Sequence, residues 1–152
     1  MVRVQHRQQR GFTLLELMVT FTVAGLLMAV SVPSGYKMYQ SMQYRGALAD
    51  VRRLLEAGRY QALISGQSVD VVIVPDSRKL FVTEASPVTL PERVRLDMNV
   101  AEQLMQDSQT GVIRFYPDGS SSGGSVMVQR VDDSGVKLQV GWLMGELNES
   151  RL

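Results

Sequence analysis

A single carboxylate lies inside the longest apolar stretch of this chain, and it limits what the N-terminal part can be. Residues 12–32 read FTLLELMVTFTVAGLLMAVSV, and Glu16 is their one charged side chain. A helix of this length rises about 31 Å, which matches the hydrocarbon thickness of a bilayer. An ionised group costs about 3 kcal/mol at the membrane centre and therefore needs a partner. The stretch predicts a membrane helix whose glutamate has a function.

The eleven residues before this stretch are basic and contain no acid. They include Arg3, His6, Arg7 and Arg10. Basic residues beside a first apolar segment hold that end in the cytoplasm, so the rest of the chain is expected on the far side of the membrane. Two simpler interpretations remain open: a plain membrane anchor with an incidental glutamate, and a secretory signal cleaved near residues 29–31.

Composition argues against several classes of function. The chain has no cysteine, and His6 is its one histidine. A Ser/His or Cys/His nucleophilic site and an ordinary zinc site therefore cannot form beyond the leader. Without the three leader arginines, 13 of the 16 basic side chains remain against 15 acidic ones, which disfavours a nucleic-acid-binding surface. We predict that the protein is not an enzyme and uses no metal or cofactor.

The pattern beyond the apolar stretch predicts an α+β fold. Apolar residues recur every three or four positions over 34–65, as in an amphipathic helix, and Pro33 predicts a kink at its start. Strand patterns follow at 69–74, 80–85, 94–98, 112–116, 126–131 and 136–143. Residues 99–109 are expected to form a loop or short helix. The arrangement of the strands within 66–110 is left open by the sequence.

The expected layout is a long N-terminal helix, half membrane segment and half amphipathic, packed on an antiparallel β-sheet domain. Its divisions are a leader at 1–11, a membrane and assembly helix at 12–33, an amphipathic helix at 34–65 and a β domain at 66–152. The last three strands are predicted to be consecutive and antiparallel. Residues 132–135 form a tight connection between the final two.

One connection between predicted strands is unusually polar. Residues 117–124 read PDGSSSGG, which is typical of a flexible hairpin loop. A phosphate-binding loop would need a lysine and a following helix, and a calcium loop would need more carboxylates. The segment is also a candidate partner-binding loop, comprising Asp118, Gly119, Ser120, Ser121, Ser122, Gly123 and Gly124.

Residues 10–17, RGFTLLEL, resemble the type III signal of the type IV pilins and of the pseudopilins of type II secretion. The resemblance implies that a prepilin peptidase cleaves between Gly11 and Phe12 and methylates the new N-terminus of Phe12. It implies that Glu16 pairs with the N-terminus of a neighbouring subunit during assembly. It also implies that Pro33 lies at a helix kink.

A second stretch is similar to the H-type minor pseudopilins in particular. Residues 113–126 read IRFYPDGSSSGGSV, and residues 140–145, VGWLMG, fit the final strand and glycine of that group. Related minor pilins of the type IV pilus share the superfamily. A basic residue often follows the last glycine there, but Glu146 follows it here, which weakens the expectation of a DNA-binding tail.

The resemblance implies a minor pseudopilin of a type II protein secretion system, part of the pseudopilus tip that initiates assembly and helps move folded exoproteins across the outer membrane. Its expected partners are the prepilin peptidase, other minor and major pseudopilins, the inner-membrane assembly platform and the exported proteins. It would lie in the bacterial inner membrane as a single-pass protein, with the N-terminus cytoplasmic and the C-terminal domain periplasmic. The alternatives are a minor pilin for adhesion, motility or DNA uptake, and a free periplasmic enzyme or binding module.

Overall fold

The computed structural model describes residues 11–83, 85–100, 105–107 and 110–152, except for the side chains of residues 30–35, 37 and 105–107. It contains one helix, α1 (Leu14–Ser65), followed by a series of strands, which confirms the predicted α+β fold. The strands are β1 (Val69–Val74), β2 (Lys79–Val82), β3 (Val88–Thr89), β4 (Arg95–Asn99), β5 (Met105–Asp107), β6 (Thr110–Phe115), β7 (Gly124–Gln129), β8 (Gly135–Val140) and β9 (Leu147–Arg151). The chain divides into two compact units, a first unit at Met1–Tyr39 and a second unit at Gln40–Leu152.

Helix α1 begins inside the apolar stretch, where a threonine caps it. The hydroxyl oxygen of Thr13 accepts a hydrogen bond from the N–H of Glu16 at 3.2 Å, and the Thr13 carbonyl accepts one from the N–H of Leu17. A Thr three residues before a Glu is the sequence of a capping box. The helix therefore begins two residues after Phe12, and the backbone of Pro33 lies within its span. The helical span through Pro33 gives no bend angle, so the predicted kink stays a prediction.

The strands form two antiparallel sheets. The first has the order β3-β2-β1-β6-β5, and the second has the order β4-β7-β8-β9. The prediction that 112–116, 126–131 and 136–143 pair consecutively is therefore wrong for the first pair, because β6 and β7 lie in different sheets. The connection between them is longer than a hairpin turn needs, and it carries the chain from one sheet to the other. The tight turn at 132–135 joins β7 to β8 as predicted.

Three strands, β3, β5 and β9, were not predicted from the sequence. Residues 99–109 were expected to be a loop or short helix, but they include β5, which is only three residues long. Strand β3 has two residues, and β9 reads LNESR, with one apolar side chain. Short or polar edge strands lack the apolar alternation by which strands are recognised. Strand β9 is fixed instead by its pairing with β8, in register from Leu147 opposite Val140.

The core of the second unit lies between the C-terminal half of α1 and both sheets. Gly58 of α1 lies close against the first sheet, since a Cβ there would lie 2.5 Å from Val71 Cγ2 and 3.4 Å from Phe115 Cδ2. The fully buried members include Val51, Leu55, Ala62, Val71, Ile73, Leu80, Ile113, Phe115, Val126, Val128 and Leu138. One apolar cluster thus holds the helix and the two sheets together.

Polar contacts add to this core at its edges. The Arg114 guanidinium donates two hydrogen bonds to the Asp70 carboxylate, at 2.6 and 2.8 Å, across the β1–β6 pair. Hydrogen bonding to Asp70 raises the pKa of Arg114 above its already high ordinary value. The buried Tyr44 hydroxyl of α1 donates to the Val128 carbonyl at 3.1 Å, with the Arg130 guanidinium 4.3 Å above its ring. Burial raises the pKa of Tyr44 above its ordinary value of 10.0, which further favours the neutral hydroxyl that donates this bond.

Candidate functional site

The predicted processing point lies in exposed, non-helical chain. Gly11, Phe12 and Thr13 precede α1, and the Phe12 side chain is 76% exposed. A Cβ at Gly11 would meet nothing within 4 Å, so no described neighbour shields the peptide bond between Gly11 and Phe12. A peptidase needs its target in accessible backbone that is free of helical hydrogen bonds, and this segment has both properties.

Glu16 occupies the third position of the helix, in its first turn. A carboxylate is stabilised there by the partial positive charge of the helix N-terminus. Within the described part of the chain, no basic side chain lies at ion-pair distance from Glu16. The structure therefore places Glu16 close to Phe12 along the chain and leaves its carboxylate exposed for a cation from elsewhere.

The apolar side chains on both sides of Glu16 in the sequence are exposed. Their exposed fractions lie between 47% and 76% for Phe12, Leu14, Leu15, Leu17, Met18, Val19, Phe21, Val23, Leu26, Leu27 and Met28. The hydroxyls of Thr20 and Thr22 donate to helix carbonyls one turn earlier, at 2.9 and 2.7 Å. This part of α1 thus satisfies its own hydroxyl groups and offers an apolar surface to its surroundings.

No helix in the described ranges is both long and apolar enough to qualify as a membrane span. The membrane segment expected over 12–33 includes side chains at 30–33 that are outside the description. It therefore stays a prediction.

The polar loop 117–124 begins with a turn that Asp118 organises. One carboxylate oxygen of Asp118 accepts hydrogen bonds from the N–H of Ser120 at 2.9 Å and from its hydroxyl at 2.6 Å. These bonds favour the charged carboxylate and lower the pKa of Asp118 below its ordinary value. Gly119 follows with φ +86°, a conformation that few side chains tolerate. Asp118 is exposed, but Gly119 is buried.

The middle of the loop joins the two sheets. The buried Ser121 donates from its N–H to the Trp142 carbonyl and from its hydroxyl to the Gly141 carbonyl, both at 2.9 Å. On the other side, Ser122 exchanges hydrogen bonds with the backbone of Arg114 in β6. The segment is therefore not the flexible hairpin that its composition predicts, since Ser121 bonds to the turn after β8 and Ser122 bonds to β6. Whether it binds a partner remains a prediction for these residues.

The turn between β8 and β9 carries exposed apolar side chains that sequence reasoning did not single out. Trp142, Leu143 and Met144 are 70%, 61% and 64% exposed, and Gly145 follows with φ +58°. A Cβ at Gly145 would lie 2.8 Å from the Gly119 carbonyl, so this turn lies against the polar loop. The signal in the sequence was an apolar triplet between two glycines, which we interpreted only as the end of a strand.

The described residues contain no group of three or more His, Cys, Asp and Glu side chains that could hold a metal ion. A groove of about 460 Å³ lies beside the β1–β2 turn. Its charged lining mixes both signs and comprises Asp76, Arg78, Glu92, Arg93, Arg95 and Asp97. This mixture gives the groove no clear preference for an anion or a cation.

A capped apolar helix behind a Gly-Phe junction, followed by a helical half packed on antiparallel sheets, is similar to the arrangement that the resemblance to pilins implies. The N-terminal comparison agrees, since residues 6–32 match the family described as the prokaryotic N-terminal methylation motif. This match covers the predicted cleavage point, Glu16 and the whole apolar stretch.

Two relatives are similar to the chain well beyond this motif. The chain is 28% identical to type II secretion system protein H of Xanthomonas campestris over 152 residues, covering 98% of this chain and 88% of the relative. It is 25% identical to a fimbrial protein of Pseudomonas aeruginosa over 122 residues, covering 79% of this chain and 75% of that protein.

Solved structures show the same fold. Two structures of the minor pseudopilin EpsH from the type II secretion system of Vibrio cholerae match with TM-scores of 0.53 and 0.55, at 19% and 16% identity. They cover 69% and 73% of this chain and 93% and 94% of EpsH. The sequence and fold comparisons together confirm the resemblance to the pilin and pseudopilin superfamily, and to the H-type minor pseudopilins within it.

Proposed function

We propose that this protein is a minor pseudopilin of a type II protein secretion system. The observation that carries the proposal is the similarity to type II secretion system protein H, which extends over 98% of the chain rather than over the N-terminal motif alone. The EpsH-like fold of the second unit supports it. The role is structural: the protein acts through assembly with other subunits and not through a catalytic site.

The first step of the proposed function is processing. A prepilin peptidase cleaves between Gly11 and Phe12 and methylates the new N-terminus. Removal of 11 of the 152 residues leaves a chain of 141 that begins with the exposed Phe12. Before processing, the basic leader holds the N-terminus in the cytoplasm, and the second unit lies in the periplasm. The matched methylation motif supports this order of events.

The second step is assembly from the inner membrane. The exposed apolar side chains of residues 12–29 contact lipid first and the helices of neighbouring subunits afterwards, with Ala24, Gly25 and Ala29 allowing close approach. The Glu16 carboxylate pairs with the cationic N-terminus of an adjacent subunit. Such a pair offsets the cost of an ionised group in an apolar environment.

The expected partners follow from these steps. They are the peptidase, the minor and major pseudopilins, the inner-membrane assembly platform and the exported proteins that the tip helps to move. The fimbrial relative supports a second candidate, a minor pilin of a type IV pilus. Its match is shorter and less identical than the match to protein H, so we favour the secretion system.

A deletion strain tests the proposal. Quantitative mass spectrometry of the medium and the periplasm is expected to show folded exoproteins lost from the first and accumulated in the second, with the intact gene restoring secretion. Surface motility and DNA uptake are scored on the same cells and are expected to be unchanged. Intact secretion with lost motility or uptake would instead assign the protein to a pilus.

A further inference from the structure

The apolar turn between β8 and β9 is held in place by backbone hydrogen bonds. The carbonyls of Gly141 and Trp142 accept hydrogen bonds from Ser121, and the N–H of Gly141 donates to the Glu146 carbonyl at 2.9 Å. The N–H of Gly145 donates to the Gly141 carbonyl at the same distance. The turn thus has a fixed backbone while its side chains face solvent. We call residues 142–144 the apolar tip.

The C-terminal end of α1 extends this apolar surface. A Cβ at Gly145 would lie 3.4 Å from Arg59 Cδ, and one at Gly119 would lie 3.5 Å from Leu63 Cδ2, so this end of the helix adjoins the tip. Its exposed side chains are Tyr60, Leu63 and Ile64, at 65%, 46% and 66%. With the tip they present on the order of 700 Å² of apolar surface, close to the ~800 Å² that one partner buries in a standard interface.

The charges beside this surface decide between kinds of partner. Glu146 packs its carboxylate over Gly141, and Asp118 precedes the glycine that contacts the turn. Both acids are exposed, whereas Arg59, the cation that adjoins Gly145, is half-buried with its Nε enclosed, so the exposed charges beside the tip are acidic. An acidic rim repels anionic lipid headgroups and nucleic acid phosphates, and it favours a protein surface with basic groups around an apolar cleft. A rigid, exposed tryptophan is a typical anchor for such a contact because it loses little conformational entropy on binding.

We propose that the apolar tip, with Tyr60, Leu63 and Ile64, docks into a basic-rimmed apolar cleft on the domain of a different pilin-like subunit in the same assembly. This inference rests on the proposed function for the identity of the assembly. The contact lies in the second unit, so it is separate from the helix packing that the N-terminal stretch provides.

Cysteine cross-linking of the full-length protein in cells tests the contact. The chain has no cysteine, so Leu143→Cys introduces a single thiol. Val131→Cys is the matched control, because Val131 is an equally exposed apolar residue, at 72%, in the turn between β7 and β8. A short thiol-to-amine reagent is used, since the proposed cleft has basic groups at its rim. We expect at least a fivefold higher yield from Leu143→Cys, with a product that mass spectrometry identifies as a different subunit bearing a pilin-type N-terminus.

Trp142 provides a second readout because it is the one tryptophan in the chain. In the purified full chain in detergent, acrylamide is expected to quench its fluorescence strongly. Adding the purified subunit that the cross-link identifies should reduce this quenching severalfold. Adding phosphatidylglycerol vesicles should leave the quenching unchanged. Trp142→Ala is expected to lower the Leu143→Cys cross-link at least fivefold without changing thermal unfolding, since the side chain is exposed.

Several results would overturn the proposal. They are equal cross-linking at positions 143 and 131, products with a second copy of this chain only, products with proteins unrelated to pilins, and protection of Trp142 by vesicles alone. The deletion strain keeps the two proposals distinguishable. A secretion defect without the cross-link rejects the docking surface alone, and the cross-link without a secretion defect rejects the secretion system alone.

Discussion

At the scale of single residues, Gly11 and Glu16 are the positions to which the sequence assigns processing and assembly. Both lie in the matched N-terminal motif, and the structure places one in exposed chain and the other in the first turn of α1. Their roles in processing and assembly stay predictions, because each role involves another protein: the peptidase for Gly11 and a neighbouring subunit for Glu16. Variants at each position can test these roles separately.

Gly11→Val is expected to block cleavage without disturbing the fold, because a side chain at 11 meets no described neighbour within 4 Å. The intact mass of the purified protein should then correspond to all 152 residues. Gly25→Val is the control, since Gly25 also has open space around it, and its product should have 141 residues and a methylated N-terminus. Normal cleavage of Gly11→Val would contradict the assigned junction.

Glu16→Gln separates charge pairing from helix capping. Glutamine can serve in a capping box as glutamate does, but it cannot form an ion pair with an N-terminal amine. We expect Glu16→Gln and Glu16→Ala to enter sheared pseudopili at least tenfold less than the native chain, at equal membrane levels. If glutamine supports normal assembly and alanine does not, capping by Glu16 is the important property and the pairing is wrong.

Asp118 makes the start of the polar loop sensitive to acid. The Ser120 hydroxyl is the main cause of its lowered pKa, so Ser120→Ala should raise that pKa towards the ordinary value of 3.8. Because the folded pKa is the lower one, the stabilisation is present above the unfolded value and is lost as pH falls through the folded value. NMR titration of the carboxyl carbon checks this, with Ser134→Ala as a control that shifts Asp132 instead. An unchanged Asp118 pKa would contradict the assigned cause.

At the scale of elements, two of the four glycines in α1 lie in opposite environments. Gly58 lies against Val71 and Phe115, while a Cβ at Gly46 would meet nothing within 4 Å. Alanine favours a helix by about 1 kcal/mol over glycine, but overpacking a core costs about 1–3 kcal/mol.

Gly58→Ala is therefore expected to lower the free energy of unfolding by about 1–2 kcal/mol, and Gly46→Ala to raise it by about 0.5–1 kcal/mol. Denaturant unfolding of the detergent-solubilised protein, followed by circular dichroism, measures both. Equal stabilisation by the two alanines would show that α1 does not approach the first sheet closely at Gly58.

Elements with strong local patterns could be predicted, and elements defined by their neighbours could not. The run VDVVIV gave β1 with its observed ends, because β-branched residues buried on both faces leave a clear signal. Strand β9 exists because β8 offers it a partner, and that information is not in LNESR itself. The same limit applies to the candidate functional residues. The processing motif is a continuous stretch and could be predicted, whereas the hydrogen bonds of Ser121 and the position of the apolar tip depend on residues that are distant in sequence.

At the scale of the whole molecule, Ser121 connects structures that lie far apart in the sequence. It is buried and bonds to Gly141 and Gly123, next to a bridge that pairs it with Phe115. Ser121→Ala would leave the Gly141 carbonyl and the Gly123 N–H without this partner, at a cost of about 1–3 kcal/mol.

We expect Ser121→Ala to lower the thermal midpoint by several degrees and to increase acrylamide quenching of Trp142, because the turn loses its support. Ser120→Ala removes a half-buried hydroxyl that bonds to the exposed Asp118, and it should change stability by no more than about 0.5 kcal/mol. Equal effects of the two variants would mean that the loop does not couple the sheets.

The order in which the chain visits the two sheets has a consequence for how the domain matures. Strand β4 belongs to the second sheet, yet β3 before it and β5 after it belong to the first. Neither sheet is therefore encoded by a continuous stretch of sequence, and a fragment ending before β6 contains no complete half of the domain. The first sheet can be complete only after β6 and the second only after β9. Because both sheets share one apolar core, we expect apolar side chains to stay accessible to chaperones and proteases until the last strand is made.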